Sequence, residues 1–216
     1  MKIGILFDLD GTLLSTLEDL TDAVNETLRH FGCPERAIDE VRQFVGTGAA
    51  NLVRLSLPGL ATDPALETAL AYYQEYYGAH SRIKTRPYDG ILEALAEIKQ
   101  EFPVAVVSNK PDRATKPLVK EYFGEDIFAL GENGDCPRKP APDMLFRAME
   151  AIGVEKCVYV GDSEVDVITA GNAGAPCLSV LWGFRDEECI RANGGKHFCH
   201  TPGDLPSMLR QLAESL

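Results

Sequence analysis

Apolar residues recur along this chain in two rhythms, and the change from one to the other predicts the architecture. Ile3-Gly4-Ile5-Leu6-Phe7, Val104-Ala105-Val106-Val107-Ser108, Phe128-Ala129-Leu130, Cys157-Val158-Tyr159-Val160 and Leu178-Ser179-Val180-Leu181 are compact apolar runs of strand length. Between the later runs, apolar residues return at helical spacing, predicting helices over 91–100, 114–122, 144–152 and 165–173. Strands that alternate with helices predict an α/β, Rossmann-like parallel sheet with helices on both faces.

The first interval breaks this rhythm. A βαβ unit needs about 30 residues, yet roughly a hundred separate the first strand from the second. The surplus is helical throughout. Ser15-Thr16-Leu17-Glu18 reads as a capping box, followed by Leu17, Leu20, Val24, Leu28 and Phe31 on one face and Gly32 as a stop. Further helices are expected over 38–45, 49–57 and 64–77, the last with Leu66, Leu70, Tyr73 and Tyr77 on one face. The expected division is an α/β core of residues 1–14 and 84–216 with an inserted all-helical cap of residues 15–83.

Open parallel sheets bind ligands beyond the C-terminal ends of their strands, so the residues there are candidates before any function is assumed. The first strand delivers Asp8 and Asp10, two apart and on the same side of the chain, with Gly11 turning the backbone away before Thr12. Such a pair suits metal binding, nucleophilic attack or acid/base chemistry, although Asp10-Gly11 is also an ordinary turn. Ser108, Asn109 and Lys110 follow the second strand, where a serine serves equally as a helix cap or as a donor to phosphate oxygens. Lys139 lies between arginine and proline ahead of the next helix. Asp162 and Asp166 follow Gly161, four apart on one face of a helical turn, where two carboxylates need Lys139 or a cation such as magnesium between them. Four acids, a lysine and a hydroxyl thus gather on one edge.

Bulk properties narrow the partners. The 216 residues are 45% hydrophobic and 25% charged, an ordinary globular composition. A net charge of −12 argues against nucleic acid, and means that an anionic ligand needs locally placed cations. The six cysteines have no zinc-ribbon spacing, and the only local cluster of soft ligands, His197-Phe198-Cys199-His200, lacks a partner pair. No charged-then-apolar leader opens the chain and no apolar run reaches membrane-spanning length, so a reduced, cytoplasmic location and no membrane partner are expected. No apolar stripe distinguishes monomer from homodimer.

The runs Asp8-Leu9-Asp10-Gly11-Thr12-Leu13, Ser108-Asn109, Lys139-Pro140 and Gly161-Asp162-Ser163-Glu164-Val165-Asp166 resemble, in order, the four signature motifs of haloacid-dehalogenase-type phosphatases. The resemblance covers essentially the whole chain, and the helical insertion matches that family's smaller cap, placed between the first and second motifs. It implies Asp8 as the nucleophile of an aspartyl-phosphate mechanism and Asp10 as general acid and base. Mg2+ would be held by the carboxylates of Asp8 and Asp162 and the backbone carbonyl of Asp10. Thr12, Ser108 and Asn109 would bind phosphate oxygens or hold the loop, Lys139 would balance charge, and Asp166 would position Lys139 or a metal-bound water.

Within that family, the segment from Phe44 to Arg54 resembles the cap loop of phosphoglycolate phosphatases, as do Tyr77-Gly78-Ala79-His80, Arg86-Pro87-Tyr88-Asp89-Gly90 and Ser108-Asn109-Lys110. Asp89 stands where that subgroup often has proline, a departure that bears on hinge geometry. Gly46, Thr47 and Gly48 form a candidate anion site at a helix start, and Arg54 and Lys110 are candidate contacts to a substrate carboxylate. The same residues also read as a break between two helices beside a solvated arginine. The expected partner is a small phosphorylated metabolite, 2-phosphoglycolate foremost. Pyrophosphate and sugar phosphates are the alternatives within phosphoryl chemistry, and a catalytically silent regulatory or binding module is the alternative outside it.

Overall fold

The computed structural model describes residues 2–57 and 63–216. The chain forms two compact units, one of residues 1–14 with 87–216 and one of residues 15–86. The crossings between them are extended: β2 (Leu14–Ser15) pairs with β3 (Arg86–Pro87) in a two-stranded sheet.

The larger unit opens with β1 (Ile3–Phe7) and resumes after β3 with α5 (Ile91–Glu101), β4 (Val104–Pro111), α6 (Asp112–Phe123), β5 (Phe128–Glu132), α7 (Asp143–Ile152), β6 (Lys156–Gly161), α8 (Glu164–Ala173), β7 (Cys177–Val180), α9 (Glu187–Ala192), β8 (His197–Cys199) and α10 (Leu205–Glu214). Its six strands lie in the order β5-β4-β1-β6-β7-β8, all pairings parallel. Residues alternate across the sheet. Ile5, Phe7, Val104, Val106, Val158, Val160, Leu178 and Val180 pack with Ile91, Leu118 and Leu209 on one face. Leu6, Ala105, Val107, Cys157 and Tyr159 pack with Leu145, Ala170 and Ile190 on the other. Both faces are covered, which is why the strands read as unbroken apolar runs.

The smaller unit is helical, with α1 (Leu17–His30), α2 (Ile38–Phe44), α3 (Ala49–Ser56) and α4 (Asp63–His80). Leu20, Val24, Leu28, Val41, Leu52, Val53, Tyr73 and Tyr77 are buried in it. The capping box expected at Ser15 does not form. Ser15 is drawn into β2, the helix starts one residue later with Thr16 at its N-cap, and the Thr16 hydroxyl is buried without a hydrogen-bond partner. The return crossing falls after Arg86 rather than after Ile83. The backbone N–H groups of Ile83, Lys84 and Thr85 all donate to the Asp19 carboxylate in α1, which fastens that segment to the helical unit. The soft-ligand cluster at 197–200 is the edge strand β8, and all six cysteines are free thiols. Among the described residues, no helix is long and apolar enough to cross a membrane.

Candidate active site

The site lies in the larger unit, beyond the C-terminal ends of β1, β4 and β6, where the sequence places its candidates. Asp8 is the first residue past β1, and its backbone N–H still donates to Val160 O at 2.8 Å. The chain then doubles back: the N–H groups of Leu13 and Leu14 both donate to Leu9 O, at 3.0 and 2.9 Å. Gly11 makes this turn with φ +83°, and a Cβ there would lie 2.4 Å from Asp162 Oδ2. Glycine is needed both for the turn and for the close approach.

Four side chains form a buried network. Lys139 Nζ donates to Asp166 Oδ1 at 2.8 Å and to the Tyr159 hydroxyl at 2.8 Å, and lies 3.0 Å from Asp8 Oδ1. The last contact is an ion pair set off the hydrogen-bonding direction, so Asp8 Oδ1 is buried without a hydrogen bond. Asp166 is fully used. Its Oδ1 also takes the Tyr159 hydroxyl at 3.2 Å, and its Oδ2 takes the Asp162 and Ser163 N–H groups and the Ser163 hydroxyl. Asp162 accepts from the Thr12 hydroxyl at 3.1 Å and from the Phe184 N–H at 2.7 Å.

Carboxylate oxygens of Asp8, Asp162 and Asp166 lie within 4.8 Å of one another, and all three residues are buried. If all are ionised, Lys139 leaves two negative charges uncompensated, the deficit a divalent cation removes. Burial pushes the Asp8 carboxyl up to about 6; the Asp166 and Asp10 charges add to the rise and Lys139 opposes it. Burial also drives Asp162 well above the usual carboxylate range, reinforced by Asp166 and Asp8. Burial works against the charge on Lys139, but Asp166 and Asp8 outweigh it and raise its pKa. The residues therefore fit a metal ion. Asp166 is held as scaffold, whereas Asp8 has an oxygen to spare.

The other candidates divide. Asn109 donates its amide to Lys139 O at 2.9 Å and so holds the lysine loop. Ser108 is buried, its hydroxyl accepting the Lys110 N–H at 3.3 Å. Lys110 is not presented to solvent: its Nζ pairs with both oxygens of Asp10, at 2.9 and 3.0 Å. Gly46, Thr47, Gly48 and Arg54 lie in the helical unit. Gly46 and Gly48 have φ of +120° and +92°, and Gly48 caps α3. Asn51 joins the other two, donating its amide to the Thr47 hydroxyl at 2.5 Å and accepting from the exposed Arg54 guanidinium.

A family profile described as haloacid dehalogenase-like hydrolase matches residues 5–180, which holds every strand-end residue above. The chain belongs to the haloacid dehalogenase-like hydrolases. Among similar proteins, the phosphoglycolate phosphatase of Thiobacillus denitrificans is 34% identical over 98% of this chain and 93% of its own length. Phosphoglycolate phosphatase 1 of Pseudomonas aeruginosa is 37% identical over 83% of this chain and 70% of its own length. A crystal structure from Lactobacillus delbrueckii subsp. bulgaricus superposes with a TM-score of 0.89 at 33% identity, covering 95% of this chain and 97% of that one.

Four residues of this candidate site are not among those the sequence points to. Tyr159 reads as strand core, yet its hydroxyl shares its one proton between Asp166 Oδ1 and Val107 O, each at 3.2 Å, and links β4 to the Lys139–Asp166 pair. Trp182 donates its indole N–H to Thr12 O at 3.0 Å. Gly183 is pressed so close to Asp162 that a Cβ would lie 2.3 Å from the aspartate Cβ. Phe184 contributes only its backbone N–H. A Trp-Gly pair just past a strand end was the available signal.

Proposed function

We propose that this chain is an Mg2+-dependent phosphatase that hydrolyses a small phosphate monoester, 2-phosphoglycolate foremost, through an aspartyl-phosphate intermediate. The observation that carries this reading is Asp8: a buried carboxylate at the end of the central strand, with one oxygen lacking a hydrogen bond, beside a lysine and two further acids. The names of the curated relatives support the substrate class.

The Asp8 carboxylate attacks phosphorus as the bond to the ester oxygen breaks. Asp10, two residues on, gives the departing alkoxide its proton, then takes one from the water that attacks the phosphorus of the acyl phosphate and frees Asp8. Lys139 holds Asp8 in place and offsets charge as the phosphoryl group arrives. Asp166, Tyr159 and Asn109 fix that lysine, and Ser108 stands ready to donate to a phosphate oxygen. Asp8 and Asp162, with the Asp10 backbone carbonyl, would hold Mg2+, whose charge screens the anionic substrate from the anionic nucleophile. In the cap, Arg54 and the Gly46–Gly48 turn are assigned to the substrate's remaining charge.

The test is phosphate release with Mg2+ present, comparing kcat/KM for 2-phosphoglycolate, pyrophosphate and several sugar phosphates. A preference for 2-phosphoglycolate of about a hundredfold, close to 2.7 kcal/mol of differential transition-state binding, is expected. Even rates across the panel would leave a general phosphatase and remove the roles given to Arg54 and the glycine turn. No turnover on any ester would remove the phosphatase reading.

A further inference from the structure

The two carboxylates beyond β1 pair with different lysines, Asp8 with the shared Lys139 and Asp10 with Lys110, and the second pair carries an inference beyond the roles above. Lys110 Nζ straddles both oxygens of Asp10, with the lysine side chain 3% and the aspartate side chain 13% exposed. Two contacts from one ammonium fix the rotation of a carboxylate as well as its place, which a single contact does not.

The backbone at Lys110 is held on both sides. Its N–H donates to Ser108 Oγ at 3.3 Å, and its carbonyl accepts from Thr115 Oγ1 at 3.1 Å. The β4–β5 register shifts between Val107 and Pro111, so the strand leaves its regular path where Lys110 must turn toward β1. Gly131 makes room for that departure, since a Cβ there would lie 2.7 Å from the Lys110 carbonyl oxygen and 2.5 Å from Asp112 Cα. On the other side, Gly11 N–H bonds to Leu14 O at 2.9 Å and Asp10 bridges to Leu14, so the aspartate backbone is also held. A long, flexible side chain with both its ends anchored has little freedom left.

We infer that Lys110 is a positioning residue for acid–base chemistry: it aims the Asp10 carboxylate at the ester oxygen, and recognition of the substrate's own carboxylate falls to other groups. The inference rests on the phosphatase reading above, but not on which ester is the natural substrate. Proton delivery to a leaving group demands a hydrogen-bond distance and alignment, so loss of aim is expected to cost a large part of what a general acid contributes, about 10²-fold.

The experiment compares wild type and Lys110→Met in the presence of Mg2+ on three esters: 2-phosphoglycolate, ethyl phosphate and p-nitrophenyl phosphate. Ethyl phosphate has a poor leaving group and no carboxylate; the aryl ester has a leaving group that departs without help. Values of kcat/KM isolate the steps up to departure. The expected result is a loss of about a hundredfold on both alkyl esters and under about fivefold on the aryl ester. In an Asp10→Asn background, Lys110→Met should cost under about threefold more, because the group it aims is gone. A loss confined to 2-phosphoglycolate would make Lys110 a substrate contact and overturn the inference. Equal losses on all three esters, or full additivity with Asp10→Asn, would overturn it as well. Should Lys110→Met fail to fold, Lys110→Arg, which keeps the charge and alters the reach, is read against the same pattern. Wild-type activity on the two simple esters but not on 2-phosphoglycolate would remove the substrate class and leave the Lys110 comparison intact.

Discussion

Polar groups are buried in both units of this chain, but they are satisfied in opposite ways. In the helical unit, apart from the Thr16 hydroxyl, those described answer to backbone. Thr21, Thr27 and Ser56 donate to carbonyls four residues earlier in their own helices, and Asp19 accepts three consecutive backbone N–H groups. In the α/β unit they answer mostly to one another: Lys139 to Asp166, Tyr159 and Asp8, Thr12 to Asp162, and Lys110 to Asp10. Groups that close on their own backbone serve the fold. Groups that converge at the strand ends and leave Asp8 Oδ1 without a hydrogen bond keep bonding capacity that a ligand can use.

The sharpest way to break this contrast is Asp8→Asn, which keeps the shape and removes the charge. Turnover should fall by at least about a thousandfold, since the amide is no nucleophile. Stability should move the other way. A carboxyl raised to about 6 when folded binds its proton more tightly than in the unfolded chain. Its ionisation therefore destabilises the fold as pH rises from about 4 to 6, and the penalty stands in full above that, on the order of 3 kcal/mol without metal. Urea denaturation of metal-free protein at about pH 7.5 should find the variant more stable than wild type. A variant that is less stable, or that keeps its turnover, would show Asp8 to be ordinary scaffold.

This distinction also explains what could be read in the sequence. Asp8, Asp10, Ser108 and Asp162 announce themselves because a parallel sheet puts strand ends on one edge, and strand ends are visible as apolar runs, while Lys139 stands out as a cation in the loop that opens the next helix. Phe184 is invisible because it works through a main-chain N–H that any residue but proline supplies. Tyr159 carries the buried signature of a core aromatic and differs from one only at its hydroxyl. Lys110 is visible as a cation at a strand end, but its partner lies a hundred positions upstream, and pattern gives no distance. Strand β8 has three residues, too few for a period, and α9 and α10 are additions to the expected helices. Asp19 offers no signal, because an acid in a first helical turn is ordinary.

The matching test in the helical unit is Asp19→Ala. It strips three N–H groups of a charged acceptor and should cost on the order of 2 kcal/mol in urea denaturation, with kcat/KM kept within a few-fold. The direction of the stability change is thus opposite to that of Asp8→Asn, although both remove a buried aspartate. If Asp19→Ala leaves stability untouched while activity collapses, the buried polar groups of this unit are not there for the fold alone.

The smallest effect expected joins metal to pH. A cation that binds the folded state raises Tm by mass action, and it competes with protons for the same carboxylates. Asp8 titrates at about 6 and Asp162 is raised as well, so at about pH 7.5 Asp8 is open to Mg2+ while at about pH 5 it is largely protonated. For a chain of this size each kcal/mol of binding free energy moves Tm by roughly 2–4 °C, so saturating Mg2+ should raise Tm by several degrees at the higher pH and by less than half as much at the lower. Asp162→Asn should abolish the shift and Asp19→Ala should preserve it, because only one of these carboxylates belongs to the group left short of positive charge. A shift of equal size at both pH values would mean that the cation binds elsewhere than at the Asp8, Asp162 and Asp166 carboxyls.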